Sequence, residues 1–311
     1  MLIGRFKSMA KIRINKANLF YEEIGQGDPI IFHHGYTGAH DVWLDEISPR
    51  LKDRYRCIVM DCRGAGDSEH PSEGYNIEQY ADDVVGLANA LKISRFHYVG
   101  HSMGGGIGFQ LATAHKDRIN KLVLVAPIPS EGISAPESFH DRARKIRTHP
   151  RRREIMLQER LLTKLRAPED AISQAVDRAL SVSESHFEDS WQSMVRFNVK
   201  DKLKALDAPT LIVAGAADGL CKANVEDWQR LPNATLHVFS RVGHGIPREI
   251  PEEFSEVLKD FLEHGVVNAQ TQEKKLRENK KSQALKGNQL IRSGNIKRTK
   301  NRKTGLPNRD T

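Results

Sequence analysis

Five short, nearly unbroken apolar runs recur along the chain, at 29–34, 56–61, 96–101, 121–127 and 209–215. Runs of this length without polar alternation suit strands covered on both faces of a parallel sheet. Two earlier runs, 11–15 and 17–25, do alternate and predict an antiparallel hairpin at the sheet edge. A sixth short strand is expected at 235–240. Between strands the period changes. Ile77, Tyr80, Val84, Leu87 and Leu91 recur at three- and four-residue spacing behind Asn76, which suits an N-cap. The segment 251–265 repeats this with Phe254, Val257, Leu258, Phe261 and Leu262; Pro251 suits a first turn and Gly265 a C-terminal stop. Strands alternating with helices predict an α/β fold with a doubly wound, mostly parallel sheet.

The alternation breaks between 129 and 208, where only helical patterns occur. A crossover between parallel strands needs about a dozen residues, so this stretch reads as an inserted helical cap. Leu161, Leu162 and Leu165 form one apolar cluster in it, and Trp191, Met194, Val195 and Phe197 another. The expected organisation is a core of 10–128 and 209–265, a cap of 129–208, and a tail of 266–311.

Composition sharpens this. The chain has 311 residues, 39% hydrophobic and 28% charged, enough for a sizeable core. No run of 18 apolar residues exists, so no transmembrane helix is expected, and the first residues lack the apolar region of a signal peptide. Cys57, Cys62 and Cys221 are too few and too scattered for a disulfide framework or a metal site; a reducing, cytoplasmic location fits. The net charge of +8 is uneven. The tail holds 13 Lys and Arg against 3 Asp and Glu, leaving 35 and 37 for the body, a net of −2. With no aromatic residue, the tail is expected to stay disordered. It either binds polyanions weakly through counterion release or is a solvated extension without a partner.

The strongest chemical signal is Gly100-His101-Ser102-Met103-Gly104, between a predicted strand and a predicted helix. G-x-S-x-G in that context is a nucleophile elbow, whose tight turn leaves no room for side chains two residues either side of the serine. A serine needs a base. His244, between two glycines and past the strand 235–240, is the candidate; His101 is expected to point away. An orienting carboxylate is expected from Asp218, which follows the strand 209–215, with Glu131 as fallback. The chain order Ser102, Asp218, His244 is the one this elbow requires. Gly100 and Gly105 have P-loop spacing, but Gly106 stands where the lysine would be. No metal cluster and no dinucleotide fingerprint appear, so neither metal nor cofactor is expected.

These residues, with His34-Gly35 and the segment 61–68, together resemble the α/β-hydrolases, in particular the capped, cofactor-independent esterases, enol-lactonases and carbon–carbon bond hydrolases. The resemblance covers 10–265. It implies an oxyanion hole from the amides of Tyr36 and Met103, and a substrate held between cap and sheet. It also implies a serine hydrolase cleaving a small ester, lactone or related acyl compound. Carbon–carbon bond hydrolysis, or a non-catalytic small-ligand receptor on the same fold, stays open, as does the oligomeric state. The 61–68 loop is expected to be structural.

Overall fold

The computed structural model describes residues 8–269, 271–273 and 276–277. The basic tail expected from 266 otherwise lies outside the described residues, and its expected disorder with it. Eight strands form one sheet: β1 (Ser8–Ile14), β2 (Ala17–Ile24), β3 (Asp28–His33), β4 (Tyr55–Met60), β5 (Phe96–His101), β6 (Ile119–Val125), β7 (Thr210–Gly215) and β8 (Ala234–Phe239). Their order is β1-β2-β4-β3-β5-β6-β7-β8. The β1–β2 and β2–β4 pairs are antiparallel and every other pair is parallel, so the alternating runs are the edge hairpin and the unbroken runs the centre.

Helices cover both faces, as the strands' two-sided burial demands. They are α1 (Ile77–Ala90), α2 (Met103–Ala114), α3 (Glu137–Thr148), α4 (Arg152–Leu162), α5 (Glu169–Ser181), α6 (Glu184–Arg196), α7 (Cys221–Arg230), the single turn α8 (Ile246–Glu249) and α9 (Pro251–His264). One buried cluster joins β3, β5 and β6 to α1 and α2 through Ile31, Tyr98, Tyr80 and Phe109. The other joins the opposite face to α9 through Phe32, Val99, Trp43 and Phe254. Asn76 caps α1 by accepting from Gln79 N at 2.8 Å, and Gly265 ends α9 at φ 68°. No helix among the described residues is long and apolar enough to cross a membrane.

Helices α3–α6 all lie between β6 and β7. Phe187, Trp191 and Met194 join them to the buried cluster of the sheet side, and polar contacts add to this. Arg178 of α5 donates to both carboxylate oxygens of Asp41 from Nε and Nη2, at 2.8 and 2.7 Å. Tyr80 of α1 meets His186 and Ser190 of α6 at 3.0 and 2.6 Å. The Tyr36 hydroxyl donates to the Phe187 carbonyl of α6. The two apolar clusters expected here fare differently. Trp191, Met194 and Phe197 are buried, but Val195 is exposed. The Leu161, Leu162, Leu165 cluster does not form a core: Leu162 is 86% and Leu165 51% exposed. These leucines fall at and just past the end of α4, where the turn scatters residues that helical spacing would have aligned.

The 61–68 loop is tied together by hydrogen bonds to Asp61. Asp61 is fully buried and accepts from the His40 amide, His40 Nδ1 and the Asp67 amide at 2.7 to 2.8 Å. Burial alone would raise its pKa, but the His40 hydrogen bond and charge lower it. Gly66, at φ 55°, lies so near that carboxylate that a Cβ would stand 2.1 Å from it. His40, Asp61 and Asp67 offer ligand atoms close enough for a metal ion. A cation there would have to displace the His40–Asp61 hydrogen bond, so the group is read as a structural clasp.

Candidate active site

The carboxyl ends of β3, β5, β7 and β8 meet at one sheet edge, and each is followed by a residue singled out in the sequence. Ser102 follows β5 with φ 56° and ψ −114°, a conformation that costs a non-glycine residue about 1–3 kcal/mol. Four hydrogen bonds hold it. Ser102 N donates to Val125 O at 2.9 Å, and its carbonyl accepts from the amides of Gly105, Gly106 and Ile128 at 2.8, 3.2 and 3.1 Å. The flanking glycines are obligatory. A Cβ on Gly100 would lie 2.1 Å from the Gly104 carbonyl oxygen, and one on Gly104 would lie 2.6 Å from that of His33. Gly100→Ala is therefore expected to destabilise the protein by several kcal/mol, since backbone rather than a flexible side chain would have to move; a denaturant melt checks this.

Asp218 sits in the turn after β7. Its Oδ1 accepts from the Leu220 amide at 3.1 Å and its Oδ2 faces His244 Nδ1 at 2.8 Å. With Nδ1–H donating to the carboxylate, the neutral ring keeps its lone pair on Nε2. Burial raises the Asp218 pKa, but the hydrogen bond and charge of His244 outweigh it and leave the carboxyl below its ordinary range. The Asp218 side chain is 7% exposed and the His244 imidazole 41%, so the carboxylate is shielded and the ring accessible.

Ser102, Asp218 and His244 line one cavity of about 480 Å³, with Tyr36 in the same wall. The Ser102 hydroxyl makes no hydrogen bond to the imidazole among the described residues. The amides of Tyr36 and Met103 have no protein acceptor among them either. Met103 is the first residue of α2, where a helix leaves its N–H groups unpaired. The Tyr36 ring lies against Phe187 and Trp191 of α6, centroids 5.9 and 6.2 Å away.

Three expectations need correction. His101 does not point away: its Nε2–H donates to the His244 carbonyl at 2.8 Å. Burial and the nearby His244 push its pKa down to about 3, so it is a neutral strut. The fallback acid Glu131 is elsewhere, paired with Lys200 on the surface. The cavity is not walled by two apolar clusters. Leu165 lines it but Trp191 does not, and Arg160, Lys164, Arg248 and Glu249 share the wall. Trp191 is instead stacked on His140 at 4.8 Å with the rings 3° from parallel.

Sequence reasoning also missed Glu249. Its carboxylate accepts from the amides of Gly243 and Gly245 at 3.0 and 3.2 Å, and so grips the loop on both sides of His244. Its position one turn past a flanked histidine was the only available signal.

Comparison with known proteins agrees with this fold. A family model described as alpha/beta hydrolase fold matches residues 28–247. The chain is 27% identical over 266 residues to a non-heme chloroperoxidase of Streptomyces lividans, covering 79% of this chain and 96% of that one. It is 28% identical over 271 residues to the 2-hydroxy-6-oxononadienedioate/2-hydroxy-6-oxononatrienedioate hydrolase of Paraburkholderia xenovorans, covering 80% and 92%. Among solved structures it is similar to the enol-lactonase of Burkholderia xenovorans, with TM-score 0.73 and 24% identity over 82% of this chain and all of that one.

Proposed function

The chain belongs to the alpha/beta hydrolase fold family, and from there we propose that it is a serine hydrolase of a small ester, lactone or related acyl compound. The observation that carries this is the 2.8 Å hydrogen bond from His244 to a shielded Asp218, in a cavity that Ser102 also lines. In this reading Nε2 of His244 takes the Ser102 proton as Oγ attacks the acyl carbon. The oxyanion is received by the amides of Tyr36 and Met103, two fixed donors worth a few kcal/mol in the transition state. The intermediate collapses, and His244 gives its proton to the leaving group. Water, activated by the same imidazole, then releases the acid and restores Ser102. Asp218 stays ionised throughout, holding the tautomer and stabilising the imidazolium.

The test is labelling with a fluorophosphonate, followed by rates on p-nitrophenyl esters of graded chain length. The expected result is one adduct, on Ser102, and turnover that its formation abolishes. An adduct elsewhere, or none, overturns the assignment. The same groups could cleave a carbon–carbon bond in a vinylogous diketone, and a faster rate on such a compound than on any ester would select that bond.

Helices α3–α6 are proposed as the cap that shapes the acyl site. Leu165 lines the cavity, so Leu165→Ala should reorder kcat/KM among esters of different chain length. Trp191 is packed away from it, so Trp191→Ala should cost about 3–5 kcal/mol of stability and leave the order of preferences unchanged. A rate panel and a melt on each variant distinguish the two.

The basic stretch is proposed as dispensable for catalysis, because α9 ends at Gly265 and every residue assigned a role precedes it. A chain ending at Val267 should keep its ester turnover. It should also lose any affinity for a polyanion such as heparin, since the residues before the tail carry a net −2. A fall in turnover would refute the boundary. A cytoplasmic location belongs to the same proposal and rests on the three unpaired thiols.

A further inference from the structure

Two arginines in the cavity wall have no partner. Arg160 comes from the last turn of α4 and Arg248 from α8, four residues after His244. Both are half-buried. Among the described residues, neither guanidinium makes a hydrogen bond or an ion pair. The carboxylates around them are already committed. Asp41 is held bidentately by Arg178, and Asp218 takes His244 and the Leu220 amide. Glu249 takes the amides of Gly243 and Gly245. Lys164, the other cation of the wall, is paired with Glu169 at 2.7 Å.

The two guanidinium groups also feel each other. Burial, and then the Arg248 charge, lower the pKa of Arg160. Burial lowers that of Arg248, and the charge of Asp41, already held by Arg178, opposes it without outweighing it. A pair of like charges withdrawn from water without a counter-ion is unfavourable unless something anionic joins it. Lysines would relieve the strain by losing protons; arginines keep their charge.

We propose that Arg160 and Arg248 form an anion subsite in the cavity, and that the substrate carries a carboxylate beside the acyl group presented to Ser102. The proposal rests on the hydrolase reading for its acyl group, and on the cavity geometry alone for its anion. The guanidinium forks match a planar carboxylate. One fork comes from the inserted helices and the other from α8, just past the loop that carries His244, so the anion would be held between them. A substrate gripped at its carboxylate presents its acyl carbon at a fixed reach, which is how binding energy away from the reacting atoms becomes orientation.

The experiment compares mono-p-nitrophenyl glutarate with the neutral p-nitrophenyl valerate, which has the same acyl length. Wild type is expected to prefer the glutarate in kcat/KM. In Arg160→Gln and in Arg248→Gln that preference should fall about tenfold or more, chiefly through KM, and Arg248→Lys should keep part of it. A second measurement needs no turnover. Calorimetry on Ser102→Ala should show monomethyl glutarate binding more tightly than dimethyl glutarate, and adding Arg160→Gln should weaken the monoanion. Should Arg248→Gln fail to fold, Arg160→Gln decides, since its side chain lies on the inserted helices. An unchanged preference in the folded variants, or equal binding of the two glutarates, overturns the proposal. Arginine-dependent binding of the monoanion by a protein whose wild type hydrolyses neither ester keeps the subsite and removes the hydrolase reading.

Discussion

Ser102→Ala should lower ester turnover by about ten-thousandfold or more while leaving the melting temperature unchanged or higher. The magnitude follows from the place of Ser102 in the proposed chemistry: without Oγ no acyl-enzyme could form, and only water and the proposed oxyanion donors would remain. The stability follows from the elbow. Its geometry is held by backbone hydrogen bonds, to the Val125 carbonyl and from the amides of Gly105, Gly106 and Ile128, none of which involves the hydroxyl. The side chain faces the cavity and contributes little packing. Residual turnover near wild type, in protein purified free of other esterases, would show that Ser102 is not the nucleophile. A large fall in melting temperature would show that the hydroxyl holds the turn.

Asp218→Asn should lower kcat by about a thousandfold or more and change KM far less. The amide can still meet Nδ1, but it can turn its N–H toward the ring and so favour the tautomer with the proton on Nε2. That ring cannot accept the serine proton. The loss falls in the transition state, where the imidazolium needs a negative neighbour. The same substitution carries a pH signature. The folded pKa of Asp218 lies below its ordinary value of 3.8. Its ionised form therefore contributes stability that is fully present above that value and is lost as pH falls through the lower folded one. The melting temperatures of wild type and Asp218→Asn should converge in acid. Divergence there, or an equal effect from Glu131→Gln on turnover, would count against the assignment.

The strands were legible because the sheet is buried on both faces, which leaves an unbroken apolar run with no ambiguity of face. The gathering of Ser102, Asp218 and His244 at one cavity was legible for a related reason. Each follows a strand, and in a parallel sheet strand ends share an edge. Long polar side chains were not legible. An arginine such as Arg160 has the same signature in a helix whether it meets water, an acid or a cavity, and only the fold reveals which. His101 was misjudged because its direction depends on the His244 loop, which is remote in sequence. The three leucines at the end of α4 were misjudged because helical spacing was extended past the residue where the helix stops. The Arg178–Asp41 clasp and the grip of Glu249 on two amides join charges to backbone across distances that no periodicity records.

The strand order has a consequence for how the molecule comes into being. From β3 the sheet grows through β5, β6, β7 and β8, so β5 is laid against β3 and each later strand against the one made before it. Ser102 and its supporting turn leave the ribosome well before His244. At ordinary synthesis rates the interval is on the order of ten to thirty seconds. During that time the β6 edge, with Val123 and Val125, waits for β7 while the inserted helices are made. Until then the edge strand is uncovered, the condition under which a partly made chain is prone to aggregate. A chain cut short before residue 244 would carry Ser102 without the imidazole proposed as its base.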